Sequence, residues 1–190
     1  MISPIPRNDS AIRTRRLLLR AAQESDLIPL HELFSDEDVM RYCLLQTATY
    51  LHGMLASPAN GSLDFVLVLV SPSSPTDPDA DPPRGKVIGK AGIWSLSNSE
   101  IGFLLHRDVW GEGYMAEALT ALLGPNGVFW KRGVEGVVAD VDPRNEGSMG
   151  ILRRFGFVET GREDRTFETH LGWCDSVYLE LRSRLAKQES

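Results

Sequence analysis

Between Lys86 and Leu105 the chain sets two apolar runs on either side of the polar stretch Ser95–Ser99. They read Val87-Ile88-Gly89-Lys90-Ala91-Gly92-Ile93-Trp94 and Glu100-Ile101-Gly102-Phe103-Leu104-Leu105. Two such runs joined by about five polar residues predict an antiparallel strand pair. An earlier run over 63–70, Leu-Asp-Phe-Val-Leu-Val-Leu-Val, is apolar and β-branched and stops at Ser71-Pro72, as a buried strand would. Residues 12–20 add a short apolar strand between arginines. The first half of the chain is therefore an antiparallel meander.

Helical spacing surrounds these strands. Ser25-Asp26 is placed to cap a helix carrying Leu27, Leu30, Leu33 and Phe34 on one face, and a second helix begins near Ser35-Asp36 or Thr47. Ala118, Leu119, Leu122 and Leu123 repeat at helical spacing until Gly124-Pro125-Asn126-Gly127, where proline cannot continue the hydrogen-bond ladder. A strand over 136–141 leads through Asp142-Pro143-Arg144-Asn145 into a helix over 146–154, with Ile151, Leu152 and Phe155 inward. Short strands near Phe157-Val158 and over 176–181 close the chain. Only one strand–helix–strand crossover is visible, and no internal repeat. The pattern is α+β, read as a single domain over 1–190 with a mobile loop at 71–84, where Pro, Ser and Asp crowd together.

Composition narrows the function classes. A net charge of −6 disfavours nucleic acid as the main partner. No apolar run approaches the ~20 residues of a membrane helix, and the first residues lack a secretory pattern. Two cysteines, Cys43 and Cys174, make neither a disulfide framework nor a zinc site, and His31-Glu32 meets Ser35 where a zinc-protease helix needs histidine. The expectation is a cytoplasmic protein without a metal, a membrane or a nucleic-acid partner. Monomer and homodimer fit the sequence equally.

The feature richest in chemistry is the loop Trp110-Gly111-Glu112-Gly113-Tyr114-Met115-Ala116, between a strand and a helix. A helix start leaves backbone N–H groups unpaired, and glycines let an anion approach them. A diphosphate is the natural guest, provided Glu112 points outward. A plain strand-to-helix turn needing glycine angles explains the loop equally well. The same residues also satisfy a Gly-x-Gly-x-x-Ala dinucleotide fingerprint, with Glu135 or Asp140 as the ribose acid, although that fold needs repeated strand–helix alternation.

Several blocks together are more specific. Glu100-Ile101-Gly102-Phe103, Trp110 to Tyr114 with Glu117-Ala118-Leu119, Asp142 to Asn145 with Ser148, and Phe155-Gly156-Phe157 resemble the GNAT superfamily. Thr14-Arg15-Arg16-Leu17-Leu18-Leu19-Arg20 and Trp173-Cys174-Asp175 with Tyr178 are similar to its RimJ/RimL-type N-acetyltransferases, and the likeness spans nearly the whole chain. The resemblance implies a mixed, mostly antiparallel central sheet flanked by helices and splayed at a cofactor cleft. It also implies acetyl-CoA as co-substrate and an amine acceptor, either a protein N-terminus or a small molecule. On that basis backbone groups of Phe103 and Leu105 hold the pantetheine arm, and the loop from Trp110 through Gly111, Glu112, Gly113, Tyr114, Met115 and Ala116 holds the diphosphate. Asn145 bonds the arm and Ser148 sits near the sulfur. Met115, where the family usually has a small residue, is expected to tighten the amide path.

Acetyl transfer to an amine needs a neutral nucleophile and a proton for the departing thiolate. Glu100, at the start of its strand, is the first candidate base, or else a surface carboxylate; Glu168 and Asp175 are weaker candidates. Ser148 is either the proton donor or a support for the helix start, and Asn145 is either a cofactor ligand or an N-cap. Trp94 and Trp130 are expected in the core, Trp173 on an acceptor wall, and Cys174 as a packed thiol. Two other readings share the loop: an acyl-CoA sensor without catalysis, and a dinucleotide-binding oxidoreductase.

Overall fold

The computed structural model describes residues 11–41, 47–57, 62–70, 85–95, 97–169 and 172–183. The loop expected at 71–84, together with Cys43, lies outside them. Eight strands form one sheet: β1 (Ile12–Arg13), β2 (Leu17–Arg20), β3 (Leu63–Leu69), β4 (Lys86–Ser95), β5 (Glu100–Leu105), β6 (Gly136–Val141), β7 (Val158–Thr169) and β8 (Gly172–Arg182). Their order is β1-β2-β3-β4-β5-β6-β8-β7, and every pairing is antiparallel except β5 with β6. The predicted hairpin over 86–105 is present in register, Gly89 opposite Leu105 through Ile93 opposite Ile101.

Strand alternation sends side chains to two cores. Leu17, Leu19, Phe65 and Ile101 point to one face, where α3 (Tyr114–Leu123) and α5 (Glu146–Phe155) contribute Leu119, Leu122, Met149 and Leu152. Leu18, Val66 and Val68 point to the other, beneath α1 (Leu27–Ser35) and α2 (Thr47–Leu55) with Leu30, Leu33, Leu51 and Met54. The single strand expected over 12–20 is split, because Thr14 turns the chain by donating its amide to the Leu17 carbonyl at 2.9 Å. Leu27 is exposed rather than inward. Asp26, in a 3-10 turn before α1, is buried instead and takes both Arg20 η-nitrogens at 2.7 Å.

Gly124 ends α3 as expected. The four-residue helix α4 (Val128–Lys131) follows, and its Trp130 indole donates to the Leu123 carbonyl at 2.9 Å. The closing strands are far longer than predicted: β7 and β8 form a hairpin of 12 and 11 residues. Within β3, Asp64 is buried against Lys90 at 3.0 Å and receives the Tyr50 hydroxyl at 2.6 Å.

The feature that positions the site is a parting of the sheet. β5 and β6 share one registered pair, Glu100 with Val138, and the Val138 amide donates to the Ser99 carbonyl at 3.1 Å. Beyond it the strands diverge, as the splay implied by the resemblance requires.

Candidate active site

Main-chain groups alternate direction along a strand. Since the Ser99 carbonyl faces β6, so do the main-chain groups of Ile101, Phe103 and Leu105. Those of Phe103 and Leu105 thus lie on the open edge of β5. One of them is already engaged: the Leu105 carbonyl accepts the Trp110 indole N–H at 2.8 Å.

A cavity of about 1000 Å³ runs along this edge. Phe103 and Leu105 line it with Trp110, Gly111, Gly113, Tyr114, Met115 and Ala116 from the loop, and Asn145 and Ser148 from the start of α5. Nearly all the residues singled out in the sequence therefore meet at one place. Glu112 is absent from the lining; its carbonyl turns toward Arg16, which donates to it at 2.9 Å. Arg41, Arg144 and Arg154 also line the cavity and were not foreseen, since scattered arginines carry no local signal.

The loop owes its shape to two glycines in the left-handed region, Gly111 at φ 78° and Gly113 at φ 80°. Gly113 is the residue before α3, so the amides of Tyr114, Met115 and Ala116 have no acceptor within the helix. Among the described residues those amides and that of Gly113 donate to nothing else in the protein. The Met115 side chain packs into the core, and Met115 also forms part of the cavity lining.

At α5, Asn145 is an N-cap: its Oδ1 accepts the Ser148 amide at 3.1 Å. The cap and the place in the cavity wall coexist, because the Nδ2 end of the same amide is a donor. Asp142 fixes the preceding turn. Burial works to raise its carboxyl, but hydrogen bonds from the Arg144 side chain and amide outweigh this, and its pKa is lowered.

Glu100 lies outside the cavity lining, at the point where the strands part. It is half-buried, and burial raises its pKa; bonds from Asn98 and Trp94 oppose the rise, and the Asp140 charge adds to it. Register places Asp140 and Tyr178 on the same sheet face, where the Tyr178 hydroxyl donates to Glu163 at 3.1 Å. Asp140 is raised too, first by burial, with a bond from Ser176 opposing and Glu163 adding. This acidic neighbourhood was not read from the sequence, since its members lie far apart in the chain. Trp94, expected in the core, is 48% exposed beside Glu100: it falls at the register shift between Ile93 and Ser95, and its Cδ1 lies 3.4 Å from where a Cβ on Gly102 would sit. Cys174 is a buried thiol and Trp173 is exposed under the Arg165 guanidinium. Glu168 and Asp175 stand on β7 and β8 away from the cavity lining. Among the described residues no group of three His, Cys, Asp or Glu could hold a metal, and no helix is long and apolar enough to cross a membrane.

The dinucleotide reading fails on topology, since it needs a mostly parallel sheet and only β5 and β6 run parallel. Comparison with known proteins agrees. An uncharacterized N-acetyltransferase, p20, from Bacillus licheniformis is 24% identical over 177 residues, 87% of this chain and 92% of its own. The ribosomal-protein-S5-alanine acetyltransferase of Vibrio fischeri superposes with a TM-score of 0.71 at 18% identity, covering 93% of this chain and 98% of that one. The Microcin C7 self-immunity acetyltransferase MccE, solved with acetyl-CoA and AMP, gives 0.69 at 14% identity over 89% and 93%. The family model described as an acetyltransferase (GNAT) domain matches residues 16–158, and with the parted sheet and glycine loop it shows that the chain belongs to the GNAT acetyltransferases.

Proposed function

We propose that this protein transfers an acetyl group from acetyl-CoA to an amine by direct attack in a ternary complex. The observation that carries the reading is the run of unpartnered amides from Gly113 to Ala116 beside the open edge of β5. Those donors fit a diphosphate, and the bare edge fits a chain of amides. The amides of Gly111 to Ala116 hold the diphosphate, and Phe103 pairs with the pantetheine arm. Leu105 contributes its N–H, its carbonyl being committed to Trp110. Asn145 donates from Nδ2. When bound, acetyl-CoA supplies an acyl group activated as a thioester.

Glu100 takes the proton that an acceptor ammonium must lose before its nitrogen can attack, directly or through one water. Its raised pKa brings it closer to the working pH of a general base. Ser148, in the cavity wall, donates its hydroxyl proton to the departing sulfur, and the second proton that the acylated nitrogen sheds returns, through water, to its oxygen. The acidic face formed by Glu100, Asp140 and Glu163 attracts cationic amines, and peptide N-termini are the first acceptors to try, given the ribosomal-protein acetyltransferase among the structural relatives.

The test is release of free thiol from acetyl-CoA with a panel of peptides and small amines. Glu100→Gln should lower kcat by about 10²–10⁴-fold with the KM for acetyl-CoA little changed. Failure of the wild-type protein to bind coenzyme A and to release thiol with any amine refutes the reading. Tight binding without turnover across the panel favours the acyl-CoA sensor.

A further inference from the structure

The segment Thr14-Arg15-Arg16 has no part in the chemistry above, yet its third residue reaches the glycine loop. Arg16 Nη1 donates to the Glu112 carbonyl at 2.9 Å, its guanidinium lies 4.3 Å over the Tyr114 ring, and its Nε donates to Glu117 at 2.7 Å. One side chain thus touches the loop, the first residue of α3 and the end of that helix's first turn. Glu117 accepts two further bonds, from the Thr14 hydroxyl at 2.6 Å and the Arg16 amide at 2.7 Å.

A carboxylate in the first turn suits the helix dipole but opposes any second anion at the same helix end. Here the charge is drawn toward the β1–β2 turn, and neither Glu117 nor Arg16 lines the cavity. Holding the Glu112 carbonyl outward also keeps that acceptor away from the amides that follow it.

We propose that Arg16 is a positioning residue for anion binding at the start of α3: it neutralises Glu117 and ties back the Glu112 carbonyl, so that the amides from Gly113 to Ala116 meet the diphosphate without opposition. The inference rests on the cofactor reading above. It assigns to the N-terminal arm a role in cofactor affinity, separate from its role in the sheet.

The decisive set is wild type, Arg16→Met, Arg16→Met/Glu117→Gln and Arg16→Lys, compared by calorimetric titration with coenzyme A and by steady-state kinetics. In Arg16→Met the Thr14 hydroxyl and the residue-16 amide still hold the Glu117 carboxylate, now uncompensated. Affinity should fall about tenfold, with kcat at saturation within about twofold. Removing the charge as well, in the double variant, should restore most of the affinity. Arg16→Lys should fall between, keeping the charge but not the planar fork. Thermal melts establish that each variant is folded; if Arg16→Met is not, the lysine variant carries the comparison. Unchanged affinity in Arg16→Met or in an unfolding-free Arg16→Lys series, or a double variant as weak as the single, overturns the inference alone. A wild-type protein that does not bind coenzyme A overturns the cofactor reading and this inference with it.

Discussion

Glu100 stands where the last registered pair of β5 and β6 gives way to the opening, and its raised carboxyl sets the pH behaviour. As the proposed base, Glu100 must be ionised, so kcat should fall as pH drops through its raised pKa, and Glu100→Gln should abolish that acid limb. The sign for stability is opposite. A carboxyl whose folded pKa lies above its unfolded one binds protons preferentially in the native state, so charging it weakens the fold as pH rises. Glu100→Gln should therefore leave the protein at least as stable near neutral pH while costing activity, as urea titrations at two pH values would reveal. The Asp64–Lys90 pair behaves differently, because both side chains are only 2% exposed and one Asp64 oxygen, Oδ1, has no hydrogen-bond partner. Lys90→Met strands a buried carboxylate and should destabilise by about 3–5 kcal/mol, whereas Asp64→Leu/Lys90→Met should recover most of the loss in urea unfolding. A single-variant cost below about 1 kcal/mol would show that solvent reaches the pair.

At the scale of elements, what the sequence made legible follows from how each element is buried. β4 and β5 read as apolar runs, β4 being buried on both faces from Ile88 to Ile93, and α3 has one covered face, so run length and helical spacing marked them to within a residue. Of β7 only the start, near Val158, was expected; the rest escaped notice because Glu159, Arg162, Glu163, Asp164 and Arg165 interrupt any apolar alternation, and its pairing with β8, not its own composition, makes it a strand. The proposed cofactor side of the site was readable because its residues come from β5, the loop that follows it and one helix start. The acidic face proposed for the acceptor was not, since Glu100, Asp140, Glu163 and Tyr178 come from four strands and only the register joins them. The glycine loop itself yields a clean test. A Cβ at Gly113 would meet only Arg16 Nη2, at 3.6 Å, so the penalty of Gly113→Ala comes from its φ of 80° and not from crowding. The variant should lose about 1–2 kcal/mol of stability and bind coenzyme A less tightly; equal binding would mean that the loop amides do not depend on that conformation.

For the whole molecule, the sheet separates two cores that share no side chain: Ile101 belongs to one and Leu30 to the other. Ile101→Val should cost about 0.5–1.5 kcal/mol and Leu30→Ala about 2–5 kcal/mol. Because the sites have no common partner, the double variant should equal their sum within about 0.5 kcal/mol, and a larger discrepancy would mean that strain passes through the sheet. The margins of that sheet have a consequence of their own. One ends in β1, only two residues long, and the other in β7, an outermost strand studded with alternating charges and broken by two register shifts. Neither rim offers a flat, uncharged ladder to an incoming peptide. On the function proposed above, a peptide acceptor enters at the gap between β5 and β6 and not at either border, and both borders discourage the edge-to-edge pairing that starts fibres.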